Sequence, residues 1–197
     1  MTQSARAAMR QSVLQNAREL FYANGIRQVT ISDVARASGC TRQMVYKVFF
    51  DRRELILTAV VERIIEIADA ATVGAPVPAD SFHAAFVELS VQVIESLRND
   101  PELSELTGDD SPLSLHEALW SSELVDRALR FWEPWLSFGR AHRLLRDDLT
   151  NTDLADWLHT VYASIILRRN IPREQERIMI EHFVMTSLTM AGVTPGA

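Results

Sequence analysis

Apolar side chains recur with the period of an α-helix in almost every segment of the chain. The first stripe has apolar residues at i, i+1, i+4, i+7 and i+8, namely Val13, Leu14, Ala17, Leu20 and Phe21. That spacing puts all five on one side of a helix with 3.6 residues per turn. No useful length of sequence alternates between apolar and polar residues, as a half-buried strand does. The sequence therefore predicts an all-α fold.

Glycine, proline and capping residues divide this pattern into separate helices. Gly25 ends the first helix, and Thr30 with Asp33 three residues later is the pattern of a capping box that opens a short second helix. Gly39 ends the second helix, and a third follows over TRQMVYKVF. Later helices are expected over residues 53–71, 80–98, 101–107, 112–145 with an interruption at Pro134, 151–169 with Thr152 or Asp153 as its cap, and 173–191.

Basic residues are concentrated in the first quarter of the chain. Residues 1–55 contain nine basic and four acidic groups, a formal charge of +5, whereas the whole chain carries −6. This asymmetry favours a polyanionic partner for the N-terminal part alone. An uneven scatter of surface charge is the alternative explanation.

Three further features bear on the cellular compartment. The N-terminal residues lack the apolar region of a secretory signal. No apolar run reaches the roughly 18 residues of a membrane span. Cys40 is the only cysteine, which excludes a disulfide within the chain and favours a reducing compartment. We therefore expect a cytoplasmic protein without a membrane partner.

The third predicted helix has two different sides. At 100° per residue, Arg42, Gln43, Tyr46 and Lys47 lie within about 140° of one another. Apolar residues occupy the opposite side, namely Met44, Val45 and Val48. Two short helices joined by a glycine-containing turn, the second with such a polar face, are typical of a helix-turn-helix.

The chemistry of this face suits double-stranded DNA. Arginine can bind guanine and glutamine can bind adenine with two hydrogen bonds each, which makes Arg42 and Gln43 candidate base readers. Tyr46 and Lys47 are better placed for phosphate oxygens, and the hydroxyls of Thr30 and Thr41 could add phosphate contacts. An ordinary solvated face of an amphipathic helix remains the alternative.

The segment TISDVARASGCTRQMVYKVFFDRREL resembles the N-terminal signature of the tetracycline-repressor (TetR) family. The matching positions are Thr30, Val34, Ala35, Gly39, Tyr46, Phe49, Arg52 and Leu55, within a resemblance over residues 10–56. The resemblance implies a helix-turn-helix domain over residues 1–55, with Arg52 as a phosphate contact. It also implies a second domain over residues 56–197 that binds a small-molecule effector and forms a homodimer.

The sequence departs from the family pattern at two positions near the third helix. Phe50 stands where the family usually has proline, so the turn into the fourth helix is less firmly specified and the ring could pack. Gln43 replaces a residue that is usually small, which suggests an added base reader.

Aromatic residues on the middle helices are candidates for a ligand pocket. Those we assign to it are Phe86, Trp120, Phe131, Trp135 and Trp157. A largely apolar, aromatic lining predicts an apolar or aromatic effector, with Arg130 or His159 supplying one orienting polar contact. The alternative is that these rings belong only to the core.

The last two predicted helices have apolar residues on more than one side, which indicates a second packing partner. A four-helix bundle formed with a second copy of the chain would provide it. The residues predicted for this interface are Leu154, Leu158, Val161, Ile165, Ile180, Val184 and Ala191.

Signals for catalysis and metal binding are weak. The five histidines show no ligand spacing with one another, with Cys40 or with carboxylates, and no phosphate-binding or nucleophile motif is present. We therefore predict no enzyme activity, no cofactor and no metal. The expected function is that of a ligand-responsive transcriptional repressor that binds a palindromic operator. The alternative is a helical small-molecule-binding or scaffolding protein without operator binding.

Overall fold

The computed structural model describes residues 3–72, 79–168 and 170–189, and all regular secondary structure within these ranges is helical. This confirms the predicted all-α class. The α-helices are α1 (Gln3–Asn24), α2 (Ile31–Ala37), α3 (Arg42–Tyr46), α4 (Arg52–Ala71), α5 (Phe82–Asn99), α6 (Pro101–Thr107), α7 (Leu115–Leu119), α8 (Ser122–Ala141), α9 (Asn151–Leu167), α10 (Arg173–Met179) and α11 (Met185–Leu188). A 3₁₀ turn (Ala79–Ser81) precedes α5, and a π-helical turn (Ile180–Val184) joins α10 to α11.

The described chain divides into two compact units. The first holds the residues up to Ile64 together with Asp100–Ala118, and the second holds Ile65–Asn99 together with the residues from Leu119 onward. This division differs from the expected ranges of 1–55 and 56–197, because most of α4 and a later segment pack with the N-terminal helices. No helix in the described ranges is long and apolar enough to cross a membrane.

Local rules specify the N-terminal helices of the first unit. Gly25 ends α1 with a φ of 81°, and Gly39 in the turn between α2 and α3 has a φ of 62°, a region that side chains with a Cβ rarely adopt. The predicted capping box opens α2, because the Thr30 side chain accepts from the Asp33 backbone N–H and the Asp33 side chain accepts from the Thr30 N–H. Buried residues of α1, α2, α3 and α4 form the core of this unit.

Acidic residues tie the segment Asp100–Ala118 to the N-terminal helices. Arg18 donates to both carboxylate oxygens of Glu102 at 2.6 and 3.0 Å, and the Ile26 backbone N–H donates to Glu105 at 2.8 Å. Arg63 on α4 pairs with Asp100, which also caps the first turn of α6. These ion pairs and hydrogen bonds hold α6 against α1 and α4.

In the second unit, α8 packs along α9, and α5 lies against α9. Two local expectations for this unit were wrong. Thr150, not Thr152 or Asp153, caps α9, because Asp153 occupies the third position of the capping box. Pro134 lies inside α8 without ending it, and the interruption of the predicted 112–145 helix comes instead between α7 and α8.

Candidate functional site

The second helix of the helix-turn-helix, α3, is fixed to the first unit by its apolar side. Its N-cap, Thr41, accepts a hydrogen bond from the Met44 N–H at 3.3 Å. Val45 in α3, and Val48 and Phe49 in the turn after it, are buried. Met44 was predicted to lie on this inner side but is 37% exposed, so the prediction was wrong for that residue.

The predicted DNA-reading face is turned to solvent. Thr41, Arg42, Gln43, Tyr46 and Lys47 are all exposed. The face therefore combines two cations, an amide, a phenol and a hydroxyl, with the Met44 side chain beside them. Its geometry permits simultaneous contacts to base edges and phosphates.

The cations of this face differ from most other basic residues of the first unit. Arg18, Arg27, Arg36 and Arg53 each form an ion pair with a carboxylate, at 2.6, 3.0, 3.1 and 2.5 Å. Arg10 lies 3.8 Å from Glu54. Neither Arg42 nor Lys47 forms an ion pair within the described ranges. Among the other arginines of α1, α2 and α3, only Arg6 also forms no ion pair there.

The partners of the paired arginines explain why the net charge of the first unit is not positive. With Asp100–Ala118 included, this unit contains ten basic and eleven acidic residues. The charge of +5 over residues 1–55 is thus neutralised largely by a distant part of the sequence. What persists is a local concentration of uncompensated positive charge on α3.

Arg52 does not have the freedom that a phosphate contact needs. Its guanidinium donates to the backbone carbonyl of Val29 at 3.3 Å and to that of Ile26, and lies 5.9 Å from the centre of the Phe21 ring. Burial lowers the pKa of Arg52 from its ordinary value. The side chain holds the connection between α1 and α2, so its assignment to the DNA-binding set is corrected to a structural role.

Thr30 is likewise engaged within its own helix start. Its hydroxyl donates to the Asp33 carboxylate at 2.6 Å, and its backbone N–H donates to the same carboxylate at 3.0 Å. Hydrogen bonds from the Thr30 side chain and backbone lower the pKa of Asp33, which keeps a negative charge next to the hydroxyl. Thr30 therefore stabilises α2 and is poorly suited to bind a phosphate.

Phe50 presents an exposed ring beside this face. The ring is 85% exposed, and the expectation that it could pack was wrong. The Phe50 N–H donates to Glu54 at 2.5 Å, which fixes the turn into α4 without proline. The departure from the family pattern pointed to this position, whereas nothing in the sequence indicated the outward direction of the ring.

Three of the five predicted pocket residues belong to one aromatic cluster in the second unit. Phe86 lies 5.0 Å from Trp132 and 5.9 Å from Trp135 between ring centres, and Phe131 lies 4.9 Å from Trp132. Tyr162 on α9 stacks on Trp132 at 5.2 Å. Trp132, which was not predicted for the pocket, thus joins Phe86, Phe131 and Tyr162 in this cluster.

The other two predicted pocket residues lie elsewhere. Trp157 is 46% exposed on α9, and its indole N–H donates to the Ser187 hydroxyl at 2.9 Å, so its assignment to the pocket is corrected. Trp120 is 44% exposed and contacts His159 edge-on at 5.4 Å between ring centres. It therefore covers a buried histidine and does not join the cluster.

Two polar groups are buried on the inner side of α9. The Tyr162 hydroxyl hydrogen-bonds the Ser90 hydroxyl at 2.7 Å, and burial raises the pKa of Tyr162. His159 is only 6% exposed, and its Nε2 atom has no hydrogen-bond partner in the described part of the chain. Burial lowers the pKa of His159, although a hydrogen bond with the Leu119 backbone opposes that shift. Arg130, the other candidate for a polar contact, is exposed.

Most residues predicted for a dimer interface are core residues of a single copy. Leu154, Leu158, Ile165, Ile180 and Val184 are all buried. Their assignment is corrected, because side chains already buried within one copy have no surface left for a partner. Val161 is half-buried, and Ala191 lies outside the described residues.

Other apolar side chains on the same helices are exposed. Phe183, in the π-helical turn, is 70% exposed, and Ile178 on α10 and Trp157 on α9 are also exposed. Ser187, the partner of Trp157, follows Phe183 by about one turn, which places the two rings on the same part of the surface.

Comparisons with known proteins address the N-terminal segment and the fold separately. Residues 13–59 match the sequence model described as bacterial regulatory proteins, tetR family. The transcriptional regulator AlkX of Mycobacterium tuberculosis strain H37Rv is 30% identical over 111 residues, which are 56% of this chain and 53% of AlkX. The match thus spans about half the length of that relative.

Two solved structures share the fold over nearly the whole chain. The TetR family repressor AlkX from Dietzia sp., implicated in biodegradation of n-alkanes, superposes with a TM-score of 0.67 at 20% identity, covering 91% of this chain and 96% of that one. The repressor QsdR of R. erythropolis gives 0.71 at 15% identity, covering 95% and 99%. The matched family and these relatives are transcriptional regulators, which agrees with the prediction that the chain is not an enzyme.

Proposed function

We propose that the chain is a ligand-responsive repressor of the tetR family that binds a palindromic operator as a homodimer, because residues 13–59 match the model of that family. The observation that carries this proposal is that Arg42 and Lys47, on the exposed face of α3, form no ion pair within the described ranges. Because no neighbouring carboxylate neutralises these two cations, they are available to an external anion.

The side chains of α3 would have different roles in DNA recognition. Arg42 and Gln43, in its first turn, would contact base edges in the major groove. Lys47 and Tyr46, at its end, would contact phosphates and set the orientation on the duplex. Thr41 would add a phosphate contact, since its hydroxyl accepts the capping hydrogen bond and still has its proton to donate.

The second copy would pack against the exposed apolar side of α9 and of the π-helical turn. Phe183 and Trp157 are large rings on the surface of one copy, and such rings are enriched at protein interfaces. Val161, half-buried on α9, would lie in the same interface. In a DNA-bound dimer the two α3 helices would be about 34–36 Å apart, one turn of B-DNA.

The effector would bind in the second unit, where Phe86, Phe131, Trp132 and Trp135 supply an aromatic surface. Effector binding would favour a dimer whose two α3 helices no longer match successive major grooves, and DNA would be released. Repression of transcription would take place in the cytoplasm, the compartment expected from the sequence.

An electrophoretic mobility shift with fragments of the host genome tests the proposal. The wild-type protein should retard a subset of fragments, and Arg42→Ala should lose that selectivity. Arg173→Ala is the matched control, because Arg173 is an exposed arginine of the second unit that pairs with Glu95 at 3.1 Å. Equal, weak retardation of all fragments by the three proteins would favour the alternative of a helical ligand-binding protein without an operator.

A further inference from the structure

The buried nitrogen of His159 is an exception to a general property of protein interiors. Buried polar side-chain atoms nearly always have a hydrogen-bond partner, so each exception calls for an explanation. His159 is on α9 and is more than nine-tenths buried, yet its Nε2 contacts no donor or acceptor in the described ranges. The unpaired atom therefore marks a place where an external group can be bound.

The chemistry of the same ring limits what that group can be. Burial lowers the pKa of His159, which favours the neutral imidazole. In a neutral imidazole Nε2 either donates or accepts a hydrogen bond, according to which nitrogen carries the proton. A hydroxyl group can satisfy the nitrogen in both tautomers, because it donates and accepts. A carboxylate, an ether or a ketone can only accept.

The surroundings of His159 indicate the body of the ligand. Trp120 contacts the imidazole edge-on at 5.4 Å between ring centres and is itself 44% exposed. Tyr162, one turn along α9, stacks on Trp132 of the aromatic cluster. These rings match an apolar or aromatic molecule, and a charged one would lose its hydration without compensation.

We propose that His159 Nε2 is the polar anchor of the effector site and that the effector is an uncharged alcohol or phenol with an apolar body. Its hydroxyl forms a hydrogen bond with Nε2, beside Trp120. The inference rests on the proposed function, since it identifies the chemical class of the effector that would release DNA.

Matched small molecules test the requirement for a hydroxyl group on the full-length protein. Tryptophan fluorescence should report binding of 4-propylphenol and 1-octanol, which carry a hydroxyl on an aromatic or an aliphatic body. The methyl ethers of both compounds and the anions 4-propylbenzoate and octanoate should bind at least about tenfold more weakly, the effect of roughly one hydrogen bond. The difference between the phenol and the alcohol identifies the preferred body.

Two conservative variants of His159 test whether this residue binds the ligand or only supports the fold. In His159→Asn the amide reaches the position of Nδ1, and the polar atom at the Nε2 position is lost. In His159→Gln the amide reaches the position of Nε2. We expect the His159→Asn variant to lose the preference for the hydroxyl compound over its ether and the His159→Gln variant to retain part of it. Ser90→Ala is a control for a buried hydroxyl that is already paired.

The outcomes are distinct. Equal binding of hydroxyl compounds and ethers to the wild type, binding of neither class, or an unchanged preference in His159→Asn would overturn the assignment. Binding to genomic DNA is measured separately on the same proteins. If the protein bound the hydroxyl compounds selectively but bound no operator, the proposed function would be refuted, whereas the role of His159 in ligand binding would be supported.

Discussion

Replacing Arg52 tests whether its side chain stabilises the folded state or contacts DNA. Its guanidinium donates to the carbonyls of Val29 and Ile26, which belong to buried residues of the connection between α1 and α2. Hydrogen bonds from a charged donor contribute about 1.5–3 kcal/mol each. Because the Arg52 side chain is only partly buried, we take the lower end and expect Arg52→Ala to reduce the free energy of unfolding by about 2–4 kcal/mol.

Urea denaturation at a fixed protein concentration measures this loss. With a slope of about 2 kcal/mol/M, the midpoint should fall by about 1–2 M. Arg52→Lys keeps the positive charge but has a single ammonium group in place of the planar fork, so it should recover only part of the stability. Lys47→Ala is the comparison, since an exposed cation without a partner should leave the midpoint unchanged.

A phosphate contact would give the opposite pattern. Arg52→Ala would then unfold at the wild-type urea concentration, and the salt dependence of DNA binding would decrease by about one unit. Arg52→Lys would bind DNA almost as well as the wild type. That combination would refute the structural role of Arg52.

Three further predictions concern assembly and stability. Phe183→Asp should convert the dimer to a monomer in sedimentation velocity, and a dimer of undiminished affinity would remove Phe183 from the interface. Arg98→Ala leaves the buried carboxylate of Glu176 unpaired and should cost about 3–5 kcal/mol in thermal or urea unfolding, whereas a loss below about 1 kcal/mol would show that the pair is unimportant. Burial would raise the pKa of Asp100, but hydrogen bonds from Arg63 and the backbone, with nearby positive charge, outweigh it and lower the pKa below 3.8. The stability from Asp100 is therefore complete above about pH 4 and is lost as pH falls through the lowered pKa, so Asp100→Asn should flatten the acid side of a pH–stability profile.

The parts of the fold that local chemistry specifies could be predicted from the sequence. The capping box of Thr30 and Asp33, and a glycine at a positive φ in the turn after α2, depend only on neighbouring residues. The outward direction of Arg42 and Lys47 follows from the helical period once Val45 is placed inside. These features need no knowledge of distant contacts.

Features that depend on distant segments could not be predicted. The family resemblance implied a phosphate contact for Arg52, and its carbonyl partners could not be foreseen because they precede it by more than twenty residues. Glu102 neutralises Arg18 from 84 residues away, which sequence charge counts cannot reveal. The apolar sides of α9 suggested a dimer interface at Leu158, although other helices of the same copy already cover that residue. Periodicity shows that a side chain is buried and leaves its partner unspecified.

Selection of binding sites from a pool of random duplex DNA tests the central claim most directly. The wild-type protein should enrich a palindromic sequence whose half-sites are about 10 base pairs apart between centres. Lys47→Ala should enrich the same sequence with weaker, less salt-dependent binding, and Arg42→Ala should lose the preference at one position of each half-site. Enrichment of no sequence by the wild type, or of an identical sequence by Arg42→Ala, would contradict the account.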